Sequence, residues 1–423
     1  MEARVGFGLV VGGLVLALVG LVPVGCGEPP PPTTPPAPPR PTGPVPTLLM
    51  PQARFLRGAD NKPIPQPATL IVLQDAAGIW LEDRIVDPES NVFHKAIGWR
   101  DGVLTIAGDK ARLVWWSRAA GTWTPKVLWT GDWGGDFDRL RDIEHADFDG
   151  DGDEELVIAT HDYGVVAVGD EKDGAWTFQE LDAKKDTFVH EIEIGDVDHD
   201  GKKEFYATPS DRNRADGTSQ QGGVVRYDRA ADGTWTRSTV VSWAESHAKE
   251  ILVADLDRDG TDELYAVREA HAVKDATGNL QILDPVRIVR LTPSASGWTE
   301  GTVATLASPE QQCRFLVPGD VDGDGATELV AAGYKTGLWV LEPKGDGSFT
   351  PSLVDARSSG FEHATHVADL NGDGTLEIYV ASDVQGELRR YTKKGDAWER
   401  TVLTAIPKDT LTWNLQDMRL PLP

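Results

Sequence analysis

The sequence predicts an all-β fold, a β-propeller of seven blades, and three observations carry this. An acidic nonapeptide followed by an apolar segment recurs five times, with first residues 49, 59, 65 and 49 positions apart. A second landmark, an aromatic residue in a short strand-like run, interleaves with the acidic copies: Trp123, Trp176, Trp235, Trp298, Phe349 and Trp398. From about Thr47 onward, short runs of Val, Leu, Ile, Trp and Tyr alternate with Gly, Asp and Asn turns, and no long segment shows a 3.6-residue apolar period. A repeat of this length holding about four short strands is the signature of a propeller, which closes on itself and leaves only short sheet edges. The regular aromatic reads as packing between neighbouring sheets.

The acidic copies all fit D-x-[DN]-x-D-G-x-x-E. They are Asp147, Asp149, Asp151, Gly152, Glu155; Asp196, Asp198, Asp200, Gly201, Glu204; Asp255, Asp257, Asp259, Gly260, Glu263; Asp320, Asp322, Asp324, Gly325, Glu328; and Asp369, Asn371, Asp373, Gly374, Glu377. Oxygen ligands at alternate positions, a glycine that permits the bend and a later carboxylate suit a hard cation such as Ca²⁺, which takes six to eight oxygens. About five structural calcium ions are expected. An EF-hand is excluded, because it needs a glutamate at position 12 and flanking helices. Position 12 of the first copy is Ile158, inside an apolar run.

These repeats resemble the FG-GAP and VCBS repeats of integrin-alpha-like propellers, over residues from about 94 to 405. The literal FG and GAP signatures are absent, and Asn371 lowers the charge of the fifth copy. The resemblance implies one ion per loop between the first and second strands of a blade. It also implies side-chain ligands at positions 1, 3, 5 and 9, and a backbone carbonyl at position 7 from Asp153, Lys202, Thr261, Ala326 and Thr375. A unit at 93–130 carries only Arg100-Asp101-Gly102 in place of the loop and is expected to hold no metal. Segments at 68–86 lack a first strand, while LTWNLQDMRL at the C-terminus is a strand without a blade; joined, they make a seventh, composite blade.

The chain carries 41 basic and 67 acidic side chains, a net charge of −26. Nucleic acid is thereby excluded as a partner, because a phosphate backbone is held by clustered Lys and Arg. Five divalent ions would add ten charges and leave the protein acidic, which favours solubility. Of two cysteines, Cys313 begins an apolar run and reads as a small core residue, so no disulfide framework is expected.

At the N-terminus, Arg4 precedes an uncharged apolar run from Val5 to Val24, then Gly25-Cys26. This resembles a bacterial lipoprotein signal peptide, which implies a leader over 1–25 and lipidation at Cys26. Pro23 departs from that family's aliphatic position, Glu2 sits beside Arg4, and an uncleaved anchor is the alternative, since twenty apolar residues can span a bilayer. Residues 26–46 form a proline-rich linker and 47–423 the propeller. Either anchor places the protein outside the cytoplasm, at an outer membrane or cell surface.

Two segments between second and third strands are long, at 210–223 and 268–284, and project from the face opposite the acidic loops. Four histidines, His94, His190, His247 and His363, stand at or before first strands and form a candidate ligand face, with Glu191, Glu250 and Arg212 or Arg214 near it. Bonding of these histidines to neighbouring backbone is the plainer reading. No G-x-S-x-G, H-E-x-x-H or G-x-x-x-x-G-K motif occurs. The expected function is a surface-tethered, monomeric calcium-binding module for a protein or glycan. The alternatives are a polysaccharide-lyase-like enzyme with a His and Arg site at the central channel, and an assembly scaffold.

Overall fold

The computed structural model describes residues 43–134 and 138–422. The leader expected over 1–25, Cys26 and most of the linker lie outside the described residues. Residues 40–423 form one unit, and its described elements are strands arranged as a seven-bladed propeller.

Six blades follow one another along the chain, each a four-stranded antiparallel meander. Blade 1 is Phe93–Trp99, Gly102–Ala107, Ala111–Ala119 and Thr122–Gly131; blade 2 is Leu140–Ala146, Glu155–Thr160, Val166–Lys172 and Ala175–Asp182. Blade 3 is Thr187–Gly195, Glu204–Asp211, Gly222–Arg229 and Trp235–Trp243; blade 4 is Ala248–Ala254, Glu263–Arg268, Arg287–Ser294 and Gly297–Thr305. Blade 5 is Cys313–Gly319, Glu328–Gly333, Leu338–Pro343 and Phe349–Asp355; blade 6 is Thr365–Ala368, Glu377–Ser382, Glu387–Lys394 and Ala397–Ala405. First strands line the centre, each beside the next around a closed ring.

Blade 7 is composite, as expected, but holds a strand the sequence did not disclose. Val45–Arg57 pairs on one side with Ala68–Asp75, and that strand with Trp80–Asp87. On its other side it takes the C-terminal strands Thr410–Thr412 and Gln416–Leu420. Pro51 hides this strand, since proline inside a sheet usually argues against one. Here Pro51 contributes only its carbonyl, which accepts a hydrogen bond from the Trp413 amide at 3.0 Å. The C-terminal strand is therefore innermost, and pairing of the two chain ends closes the ring.

Each hydrophobic cluster bridges neighbouring blades, because the faces of every sheet are apolar. The repeated aromatic on the fourth strand anchors these seams. Trp235 packs edge-on against Phe148 of the preceding blade with centroids 5.2 Å apart, Trp298 against Tyr206 at 6.0 Å, and Phe349 against Tyr265 at 6.4 Å. Such edge-to-face pairs add roughly 0.5–1.5 kcal/mol beyond area burial. Cys313 is a buried free thiol in one of these clusters, and burial pushes its pKa up.

Candidate functional site

The five acidic segments all fall between first and second strands, so they share one face of the disc. Their backbone geometry repeats. The position-1 carboxylate accepts from the amide of the position-6 glycine in each copy: Asp147 from Gly152 at 3.0 Å, Asp196 from Gly201 at 3.0 Å, Asp255 from Gly260 at 2.9 Å, Asp320 from Gly325 at 3.1 Å and Asp369 from Gly374 at 2.8 Å. Those glycines have φ between 81° and 93°, which a side chain would resist. Position 4 is also left-handed, even where it is His199 or Arg258, a second constraint the motif did not reveal. The position-9 glutamates Glu155, Glu204, Glu263 and Glu328 each accept from the position-2 amide at 2.9–3.0 Å.

Four of the loops bring three carboxylates together, with ligand oxygens within 4.8 Å of one another: Asp147, Asp149, Glu155; Asp196, Asp198, Glu204; Asp255, Asp257, Asp259; and Asp320, Asp322, Asp324. At that spacing like charges repel strongly, and a divalent cation relieves the repulsion. Glu328 sharpens the fit: it is fully buried, its Oε1 has no hydrogen-bond donor, and burial raises its pKa to about 7. The donor set therefore fits a hard cation. Such an ion would be held by the side chains at positions 1, 3, 5 and 9 and would supply charge compensation that closes the turn.

The fifth loop differs. The Asn371 amide nitrogen donates to Asp373 at 3.1 Å and to Glu377 at 2.5 Å, so a neutral amide bridges two carboxylates. Arginines do similar service elsewhere, Arg226 against Asp198 at 2.5 Å and Arg290 against Glu263 at 3.1 Å.

The opposite face carries the long segments, and they are stitched together. Ser219 donates its amide to the Ala272 carbonyl at 2.9 Å and its hydroxyl to the Ala270 carbonyl at 2.8 Å. In the longer one, His271–Lys274 and Leu280–Asp284 form a hairpin. Between these segments and blades 4 to 6 lies a cavity of about 530 Å³. Its wall includes Arg214, His247, Lys249, Glu269, Arg314 and Phe361.

Of the four histidines, His247 lines this cavity; its Nε2 lies 3.2 Å from the Gln220 amide nitrogen, and its Nδ1 has no partner. His94 and His363 bond across to the next or previous blade, through Nδ1 to the Leu140 carbonyl at 2.6 Å and the Gly333 carbonyl at 2.8 Å. His190 is buried edge-on against His161, centroids 5.2 Å apart. Burial lowers the pKa of all four, that of His363 to about 4. Arg212 pairs with Asp186 at 3.1 Å on the surface.

The middle of the disc is filled by ion pairs that sequence reasoning did not place. Lys95, 3% exposed, contacts Asp142 at 2.7 Å, Glu191 at 3.8 Å and also Glu144. Burial opposes its charge, and these carboxylates outweigh burial to hold its pKa well above normal. Asp142 in turn accepts from the Ile192 amide of blade 3 at 2.7 Å, and Glu250 from the Leu316 amide of blade 5 at 3.0 Å. Glu362, just before blade 6, takes Arg314 of blade 5 at 2.5 Å and Arg141 of blade 2 at 3.4 Å, so one carboxylate ties elements on opposite sides of the centre. The signal was present as a charged residue in almost every first strand.

Glu269 is 2% exposed with neither carboxylate oxygen hydrogen-bonded, and burial raises its pKa to about 8 against the pull of Lys249 and Arg314; Glu310 and Glu362 add to the rise. A folded-state pKa above the unfolded value means stability present below about pH 4.5 and lost as pH rises through about 8. Glu269→Gln should therefore gain about 1–3 kcal/mol relative to wild type between pH 5 and pH 9. Urea unfolding at the two pH values checks this, and an equal effect at both would contradict it.

A family model described as FG-GAP-like repeat matches residues 147–207 and 320–380, each running from an acidic loop into the following blade. No curated protein matches. Among solved structures, the fold is similar to a proposed 6-phosphogluconolactonase of Bacteroides fragilis, at 14% identity and a TM-score of 0.55 over 88% of this chain and 98% of that one. It is also similar to a proposed 6-phosphogluconolactonase of Bacteroides uniformis, at 11% identity and a TM-score of 0.56 over 88% and 99% of the two chains. A protein from Lactobacillus plantarum aligns at 11% identity and a TM-score of 0.55, again over 88% and 99%. At such identities the likeness is one of fold. The chain is thus a seven-bladed β-propeller, two of whose segments, 147–207 and 320–380, match the FG-GAP-like repeat.

Proposed function

We propose that this protein is a calcium-stiffened binding module, held at an extracytoplasmic surface by its N-terminal segment. It presents the face opposite the acidic loops to a protein or glycan. The observation that supports this most is the cavity between the two stitched segments, where buried polar groups of Glu269 and His247 lack protein partners. Unpaired buried polar atoms are costly, and a bound ligand is one means of satisfying them. The calcium ions, on the other face, keep the blades in place. A rigid scaffold that displays long loops is a common arrangement for binding.

The second reading, a lyase acting on acidic polysaccharide, draws on His247 beside Lys249, whose pKa burial and then Arg314 lower to about 7. A neutral amine or imidazole there could take a proton from a sugar carbon.

Calcium-loaded protein should capture a ligand from a panel of glycans and envelope proteins, and charge removal at Arg214 and Lys335 should weaken capture. Capture unchanged by those substitutions would contradict the binding face. Unsaturated product formed from acidic polysaccharide, and lost in His247→Ala, would favour the enzyme.

A further inference from the structure

Resting on the binding reading above, we propose that the cavity of blades 4 to 6 takes a carboxylated sugar unit of an acidic glycan, its carboxylate on Lys249 and Lys335 and its ring against Phe361.

Charge is the first argument. In a chain of net charge −26, this wall gathers Arg214, Lys249, Arg314 and Lys335 against Asp216 and Glu269. Asp216 is engaged by Lys274 at 3.3 Å. Arg314 is engaged by Glu362 at 2.5 Å and by the Gln312 side-chain oxygen at 3.2 Å. Lys249 is different: it is 3% exposed, its ammonium donates to Asn213 Oδ1 at 2.8 Å, and among the described residues no carboxylate lies within ion-pair distance. Burial and then Arg314 lower its pKa to about 7, so a ligand anion beside it would favour the charged ammonium and repay the cost of burying it.

The size of that anion's charge is limited too. A dianionic phosphate prefers a forked guanidinium or a nest of backbone amides. Here the Arg314 guanidinium is already engaged through Nη1 by Glu362 and through Nη2 by Gln312, and Glu269 stands close to Lys249. Burial keeps Glu269 protonated up to about pH 8, so at neutral pH it is an uncharged donor. One cation, one neutral acid and side-chain amides match a single carboxylate surrounded by hydroxyls.

Shape agrees with a sugar ring. Phe361 is 39% exposed, lies edge-on to Tyr334 with centroids 6.4 Å apart, and carries the Arg314 guanidinium 4.4 Å above its ring. An exposed aromatic with amides around it offers an apolar face to C–H bonds and acceptors to hydroxyls. The volume, about 530 Å³, lies within the usual range of small-molecule pockets. A flat protein epitope would leave such a recess unfilled.

The test is titration calorimetry on calcium-loaded protein with uronate oligosaccharides and with their neutral methyl esters. The expected result is binding of the acids at least about tenfold tighter than of the esters, with Lys249→Met losing at least about tenfold for the acids alone. Lys335→Ala, at the exposed rim, should weaken the acids in the same direction without touching the fold, which keeps the test decisive if Lys249→Met fails to fold. Esters bound as tightly as acids, with both variants silent, would overturn the inference while leaving a glycan-binding module. Capture of an envelope protein on this face with no affinity for any glycan would also overturn it and leave the binding reading intact. Failure of every ligand to bind the face would sink both.

Discussion

Chelation of calcium should lower the melting temperature by about 10 °C or more. The expectation follows from adding up the loops. Each clustered carboxylate set is destabilising without a cation, and an ion present at about a hundred times its dissociation constant stabilises by about 2.7 kcal/mol. Several such sites together are comparable with the whole stability of an ordinary domain, about 5–15 kcal/mol. The loops also join the two inner strands of five successive blades, 2 to 6, so losing their turns loosens the seams anchored by Trp235, Trp298 and Phe349. Calorimetric scans in Ca²⁺ and in EDTA give the answer, and superimposable melting curves would contradict it. Within the set, the loop of Asp320, Asp322, Asp324 and Glu328 should retain its ion longest, because among the described residues no arginine or side-chain amide pairs with Glu328, whereas Arg229, Arg226, Arg290 and Asn371 already neutralise parts of the others.

Lys95→Met should cost about 3–5 kcal/mol, the usual consequence of deleting one partner of a buried ion pair. Asp142 would then lose its cation while still tied to the Ile192 amide, and Glu144 and Glu191 would face each other without compensation. The loss should shrink as pH falls. Glu191 and Glu144 already have raised pKa values, Glu191 well above the usual carboxylate range, chiefly through burial, so protonation removes the uncompensated charge at little cost. A folded-state pKa raised above the unfolded value gives stability that is lost as pH rises, so the variant's deficit should be larger at pH 8 than at pH 5. Chemical denaturation at both values measures it, and a pH-independent deficit would show that packing of the lysine stem, not its charge, is what matters.

How much of this was readable in advance depends on whether a residue acts locally or across blades. The acidic loops are local: four side chains and a glycine within nine residues determine the turn, so spacing alone located them. The fourth-strand aromatics were readable because they recur once per blade, and Trp235 and Trp298 pack on the preceding blade as expected. Val45–Arg57 was missed because Pro51 breaks the strand signature, and its pairing partner is at the far end of the chain. The ion pairs at the centre were missed for a similar reason. Lys95, Asp142 and Glu191 belong to three different blades, and only closure of the ring brings them within bonding distance. His94 and His363 illustrate the same limit, since each bonds a carbonyl of a neighbouring blade. The cavity was readable only as two long segments on one face, and its charge balance came from Lys249, Arg314 and Lys335 meeting across blades 4 and 5.

The most direct measurement of the central claim is anomalous diffraction from crystals grown in calcium. Anomalous peaks are expected in the loops, each surrounded by the side chains at positions 1, 3, 5 and 9, and strongest at Asp320, Asp322, Asp324 and Glu328. Featureless density at those carboxylates under saturating calcium would contradict it.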